Sequence, residues 1–195
     1  MRLIAATNNP HKIREFRRIL LPLGIEVITP DDLGLSVAVE ETGTTFAENA
    51  LLKARAFAAG SGLPALADDS GIVVDALGGE PGIYSARYGG PGLDDAARTN
   101  LLLSRLANTP PGARSARFVA AVALVQGSDE RVFEGTVEGV IAPEARGHNG
   151  FGYDPVFYYP PFGHTFGEVA PERKDTVSHR ARALNELARY LRNRA

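Results

Sequence analysis

Four short stretches of this chain hold residues whose types and spacing suit a charged, oxygen-rich ligand. The first is Thr7-Asn8-Asn9-Pro10-His11-Lys12, which follows a short apolar run and precedes a helical pattern. A loop that opens a helix presents unpaired first-turn amides and the positive end of the helix dipole to an anion, here with Lys12 beside them. It is not a Walker A loop, because no Gly-x-x-x-x-Gly-Lys-Ser/Thr occurs, and no Gly-x-Gly-x-x-Gly is present either. An ordinary Asn-capped helix with a surface lysine would read the same way. The second stretch is acidic: Glu40-Glu41, and Asp68-Asp69 set among apolar residues. A carboxylate stranded in a dry interior costs several kcal/mol, so this aspartate pair calls for water, a cation or donors. Magnesium takes one or two protein carboxylates and completes its shell with water and phosphate oxygens, which suits so sparse a set. Neighbours on a strand point to opposite faces, so only one of the two aspartates is expected at a given site. A plain Asp-Asp-Ser-Gly turn accounts for the same residues.

In the third stretch, Gly150-Phe151-Gly152-Tyr153-Asp154-Pro155, two glycines let the backbone pass close to a ligand and Phe151 offers a ring face. Stacking a base on such a ring contributes about 1–3 kcal/mol; an aromatic turn closing the core is the plainer alternative. The fourth, Lys174 with Ser178-His179-Arg180, places cations at the expected start of the last helix. They oppose the dipole there and so imply a bound anion or carbonyl. None of His11, His148, His164 and His179 has the spacing of a zinc site.

The elements that must position these groups follow from periodicity. Residues 2–6 read as a short buried strand, and Asn9 with Pro10 as cap and first residue of a helix whose apolar side is Ile13, Phe16, Ile19, Leu20 and Leu23, stopped by Gly24. Thr45-Phe46-Ala47-Glu48 matches a capping box opening a helix to about Ala59, with Asn49 and Lys53 four apart on one face. Residues 65–70 and 72–77 read as strand material interrupted by an acidic turn at Asp68-Asp69-Ser70-Gly71. A helix is expected over 94–106, a hairpin from 117–125 and 131–141 around a slightly extended Gly127-Ser128-Asp129 loop, and a last helix over about 176–192. Helices alternate with strands and then give way to sheet, so the fold class is α/β with a mixed sheet.

Composition narrows the classes. With 195 residues the chain is long enough for one domain with a real core, and 1–195 is expected to be a single domain. It has no cysteine, which excludes disulfides, thiolate metal sites and thiol nucleophiles. Twenty-one basic residues against 23 acidic ones give no general attraction for nucleic acid. No apolar run is long enough for a signal or a membrane span, so a soluble cytoplasmic protein is expected. Of the basic residues only Lys12, Lys53 and Lys174 are lysine. Lysine is a compact point charge on a slim stem, whereas arginine is a rigid fork, so a crowded phosphate site can accept one and reject the other.

Taken in order, the stretches resemble the inosine triphosphatase family of XTP/dITP diphosphatases over essentially the whole chain. The resemblance is carried by residues 7–12, 41–50, 67–71, Pro81-Gly82-Ile83-Tyr84-Ser85-Ala86-Arg87, 150–155 and 178–180. It implies an elongated mixed central sheet flanked by helices, two lobes with a substrate cleft, a homodimer, and Mg2+-dependent release of pyrophosphate from non-standard purine nucleoside triphosphates. By the same resemblance Thr7 to Lys12 and Lys53 hold the triphosphate, with Ser70, Arg87 and Lys174 among the nucleotide contacts. Glu41 and Asp69 place magnesium, and Asp69 or Asp68 serves as base. Phe151 stacks on the purine within the Gly152, Tyr153 and Asp154 loop, and His179 with Arg180 donates toward its six-position oxygen. A related enzyme for modified pyrimidine nucleotides and a non-hydrolysing nucleotide sensor are the competing readings.

Overall fold

The structure is a computed structural model and describes residues 1–194. In chain order its main elements are β1 (Arg2–Ala5), α1 (Pro10–Leu20), β2 (Glu26–Ile28), α2 (Phe46–Ser61), β3 (Ala65–Val74), α3 (Asp95–Arg105), β4 (Ser115–Gln126), β5 (Asp129–Ile141), β6 (Phe157–Tyr159), β7 (His164–Thr165), α4 (Pro171–Asp175) and α5 (His179–Arg192). The strands form one sheet in the order β2-β1-β3-β4-β5-β6-β7. β1 runs parallel to β2 and β3, whereas β6 is antiparallel to β5 and β7, so the sheet is mixed, as the alternation of elements predicts.

The chain divides into two compact units, each made of separate segments. The first comprises Met1–Ser70, Ala120–Gly135 and the stretch from His179 onward. Its core lies on both faces of the sheet. On one face Leu3, Leu66, Val122 and Leu124 pack with Phe16 and Leu20 of α1 and Leu184 and Leu187 of α5. On the other, Ile4, Ala65, Ala67, Ala121 and Ala123 pack with Ala50, Ala54 and Phe57 of α2. Small residues fill the second face because α2 lies close to it, and each large side chain buried on the first contributes about 1.5–3 kcal/mol.

The second unit, Gly71–Val119 and Thr136–Ser178, has one core in which Leu102 of α3 and Leu106, the residue that caps its end, meet Phe118, Val137, Phe157 and Phe166. The rings of Phe118 and Phe157 are 4.6 Å apart, within the usual range for aromatic pairs. Arg114 donates to the carbonyls of Leu106 and Thr109 and so closes the end of α3.

Three local expectations are corrected. Asp68-Asp69-Ser70-Gly71 is not a turn: β3 runs unbroken through it, because the polar side chains find partners on either face and the backbone can stay extended. The hairpin loop is only Gly127-Ser128. The last helix starts at His179, and Lys174 belongs to the separate short helix α4 that Pro171 opens.

Candidate active site

The alternation along β3 that buries Leu66 beside α1 and α5 places Asp68 and Ser70 on that same side, and Asp69 on the side of α2. Asp68 has a fully buried side chain. Arg180, at the first turn of α5, grips it bidentately, Nε to Oδ1 at 3.1 Å and Nη2 to Oδ2 at 3.0 Å. Lys12 Nζ lies 2.7 Å from Oδ2, and the Ser70 hydroxyl donates to Oδ2 at 3.0 Å while accepting from Arg180 Nη2 at 2.8 Å. Arg180 Nη1 donates to Glu15, which α1 buries. Burial pushes the Asp68 carboxyl up, but Arg180 and Lys12 outweigh it and hold the group far below the usual carboxylate range. Burial, and then the charges of Arg180 and Lys53, push Lys12 down against the pull of Asp68. The anion expected opposite the cations of α5 is therefore supplied by the chain itself, as Asp68 and Glu15.

The other side of β3 is built differently. Lys53 Nζ donates to Glu41 Oε1 at 2.8 Å, Asp69 Oδ1 at 2.9 Å and the Asp68 carbonyl at 3.0 Å. Burial opposes the lysine charge, but Asp69 and Glu41 leave its pKa raised. For Asp69 burial wins: it pushes the carboxyl above its ordinary value despite Lys53 and Lys12. Asn49, one turn before Lys53 and completely buried, accepts from the Gly43 N–H at 2.8 Å and points its amide toward Asp69 Oδ2 at 3.5 Å. Gly43 has no room for a side chain, since a Cβ would meet Asn49 Oδ1 and Glu48 Cβ at 2.7 Å. The capping box that the sequence predicts is present, with Glu48 also accepting from Thr44. It folds the segment bearing Glu41 back over α2.

The loop at α1 corrects one expectation. Asn9 Oδ1 accepts from the amides of His11 and Lys12, and the Asn9 carbonyl accepts from Ile13. Thr7 Oγ1 accepts from the Asn9 amide. These first-turn amides are thus already bonded, and what the loop extends toward β3 is the Lys12 ammonium. Asn8 and Pro10 are exposed, and Arg14 bonds the His11 ring.

Among the described residues no group of three or more histidine, aspartate or glutamate side chains forms a cage for a metal ion. Glu41 and Asp69 nevertheless fit magnesium. They are hard oxygen donors converging on one cation, Lys53, the donor chemistry a small divalent ion takes.

In the second unit, Asp154 Oδ2 accepts from the Phe151 amide at 2.9 Å and from Lys174 Nζ at 2.7 Å, in a pair buried to within a few per cent. The Lys174 ammonium sits 5.1 Å from the centre of the Phe151 ring. Tyr153 is core; its hydroxyl donates to the Ser85 carbonyl, and burial pushes its pKa well up. Gly152 donates to Asp95. Arg87 is exposed and stacks on Tyr84. His179 is buried at the start of α5, in the first unit.

Four residues were not singled out as site residues from the sequence: Glu15 and Asn49 in the first unit, and in the second Asp95 and Thr99, whose hydroxyl lies 3.4 Å from the Gly152 carbonyl. Two carried a signal. Glu15 is an acidic residue next to Phe16 on the buried stripe of α1, and Asn49 stands four before Lys53. Asp95 and Thr99 look like ordinary helix residues until their contacts are known.

A mixed α/β sheet that gathers lysines, carboxylates and a buried arginine along one strand defines an α/β protein with a charged, largely buried cluster. Residues 3–190 match the Ham1 family, and the chain belongs to that family. It is 47% identical over 194 residues to a dITP/XTP pyrophosphatase of Leptospira interrogans, covering 98% of each chain. It is 50% identical over 188 residues to one of Thermus thermophilus, covering 96% of this chain and 90% of the other. The solved structure of the Staphylococcus aureus Ham1 protein superposes with a TM-score of 0.89 at 42% identity over the full length of both chains.

Proposed function

We propose that this chain is a single pyrophosphatase domain that hydrolyses non-standard purine nucleoside triphosphates, dITP, XTP and ITP, to the monophosphate and pyrophosphate. The observation that carries the reading is the clasp of Lys53 between Glu41 and Asp69, with Lys12 on the neighbouring side of the same strand, in a chain so close to named dITP/XTP pyrophosphatases.

Lys12 and Lys53 offset the charge of the triphosphate tail as point charges that a crowded site can admit. A water attacks the α-phosphorus, a new P–O bond forms, the bond to the bridging oxygen breaks, and pyrophosphate leaves with the electron pair. The water's proton passes to Asp69, whose carboxylate keeps about a tenth of its surface exposed and shares one lysine with Glu41, whereas Asp68 is fully buried and gripped by Arg180 and Lys12. Glu41 and Asp69 are the residues that would hold Mg2+, which when bound supplies charge neutralisation on the phosphate oxygens.

For the base, hypoxanthine and xanthine present an oxygen at position six to the His179–Arg180 turn, whereas adenine sets donor against donor there. Because Arg180 is committed to Asp68, Glu15 and Ser70, His179 is the donor this reading relies on. In the second unit Phe151 offers its ring to the base. A homodimer working in the cytoplasm completes the proposal. The test is a product assay across ITP, dITP, XTP, GTP and ATP, with and without Mg2+, separating pyrophosphate from orthophosphate. Equal turnover of dITP and ATP, or release of orthophosphate, would overturn it.

A further inference from the structure

The loop that carries Phe151 is tied down from two directions. On one side Asp154 accepts from the Phe151 amide and is itself paired with Lys174. Gly150, at φ 75°, has no room for a side chain, since a Cβ would sit 1.9 Å from Asp154 Oδ2. On the other side α3 holds the next residue: Asp95 Oδ2 accepts from the Gly152 amide at 2.8 Å, and the Thr99 hydroxyl reaches the Gly152 carbonyl at 3.4 Å. Asp95 and Thr99 are four apart and so share one face of α3. The helix does not need Asp95 as a cap, because Asp94 already accepts from the Ala97 amide. Two consecutive aspartates thus serve different ends, one closing the helix and one holding a loop outside it.

The hold matters because of what lies beside it. A cavity of about 430 Å³ is lined by Asp95, Thr99, His148, Asn149, Phe151 and Gly152 among others. The loop thus borders open space on one side, and the bonds from Asp95 and Thr99 hold its backbone there.

We infer that Asp95 and Thr99 are positioning residues that fix the Phe151 ring, and through it the binding of the base. This rests on the proposed stacking role of Phe151, and the experiment separates the two. The chain contains no tryptophan, so Phe151→Trp creates a single fluorescent reporter at the ring itself. Adding Asp95→Ala lowers its steady-state anisotropy, and Asp95→Asn, which keeps an oxygen acceptor for the Gly152 amide, restores it. In the otherwise unsubstituted enzyme Asp95→Ala raises KM for dITP about three- to tenfold, as loss of a charge-assisted hydrogen bond allows. Its kcat stays within about twofold, and Asp95→Asn returns KM toward the original value. Thr99→Val acts in the same direction and more weakly. Thermal melting is followed throughout, and if Asp95→Ala proves unstable, the asparagine and valine variants carry the comparison. Unchanged anisotropy in Asp95→Ala, or an asparagine variant no better than alanine, overturns the inference. A changed anisotropy with unchanged KM leaves the ring positioned by α3 but removes its link to base binding, which also overturns the inference as stated.

Discussion

Asp68 and Asp69 are adjacent on one strand and face opposite sides of the same sheet, yet their surroundings drive them apart. Asp68 is enclosed by Arg180, Lys12 and Ser70, has a fully buried side chain, and is held far below the usual carboxylate range. Asp69 shares one lysine with Glu41, keeps about a tenth of its side chain exposed, and has its pKa raised by burial. A bidentate arginine makes a fixed strut, whereas a shared lysine leaves a carboxylate able to exchange partners. On the proposed reading the strut belongs to architecture and the other to chemistry.

Breaking each side in turn should separate these roles. The largest effect is expected for Asp69→Asn: kcat for dITP falls about 10²- to 10⁴-fold, the range for loss of a general base, while KM changes little. Steady-state kinetics with pyrophosphate detection checks this, and an unchanged kcat would remove Asp69 as base. The converse holds for stability. Asp68→Asn leaves Arg180 and Lys12 under-compensated in a dry site, and denaturant unfolding should show a loss of about 3–5 kcal/mol, against much less for Asp69→Asn. Similar losses for both would erase the distinction.

A finer test concerns Asn49. Asn49→Asp keeps an acceptor for Gly43 but buries a second carboxylate against Asp69, so about a tenfold loss of kcat is expected together with a lower melting temperature. The smallest effect is expected at Glu48, whose bonds to Thr44 and Thr45 hold its pKa below the ordinary 4.5. A lowered carboxyl stabilises the fold above its unfolded pKa and loses that contribution as pH falls through the folded one. The melting-temperature gap between the natural chain and Glu48→Gln should therefore be widest near neutrality and close below about pH 4.5.

What could be read in advance divides along similar lines. The caps at Asn9 and Thr45, the stripe of α5 and the mixed character of the sheet are local or periodic signals, and the structure matches them; the stripe of α1 holds up to Leu20, while its expected last member Leu23 lies exposed in a 3-10 turn beyond the helix. Where expectation failed, the deciding contact was remote. Asp68-Asp69-Ser70-Gly71 looks like a turn because polar residues favour turns, and it stays extended because Arg180, 112 positions away, neutralises one carboxylate. Lys174 looked like part of the final helix, but its partner Asp154, 20 residues earlier, keeps it in a helix of its own. Glu15 could not be recognised as part of the site, since its partner lies 165 residues further along.

The saturated start of α1 has a consequence for how a nucleotide is gripped. Asn9 fills the amides that other phosphate-binding loops leave open, so on the proposed reading the tail would meet point charges instead of a directional cradle. Point charges are screened by salt over about 8 Å at physiological ionic strength, whereas bonded amides are much less affected. Substrate capture should then weaken steadily as salt rises while turnover of bound nucleotide holds, so that the enzyme's effective appetite is set by the ionic conditions around it.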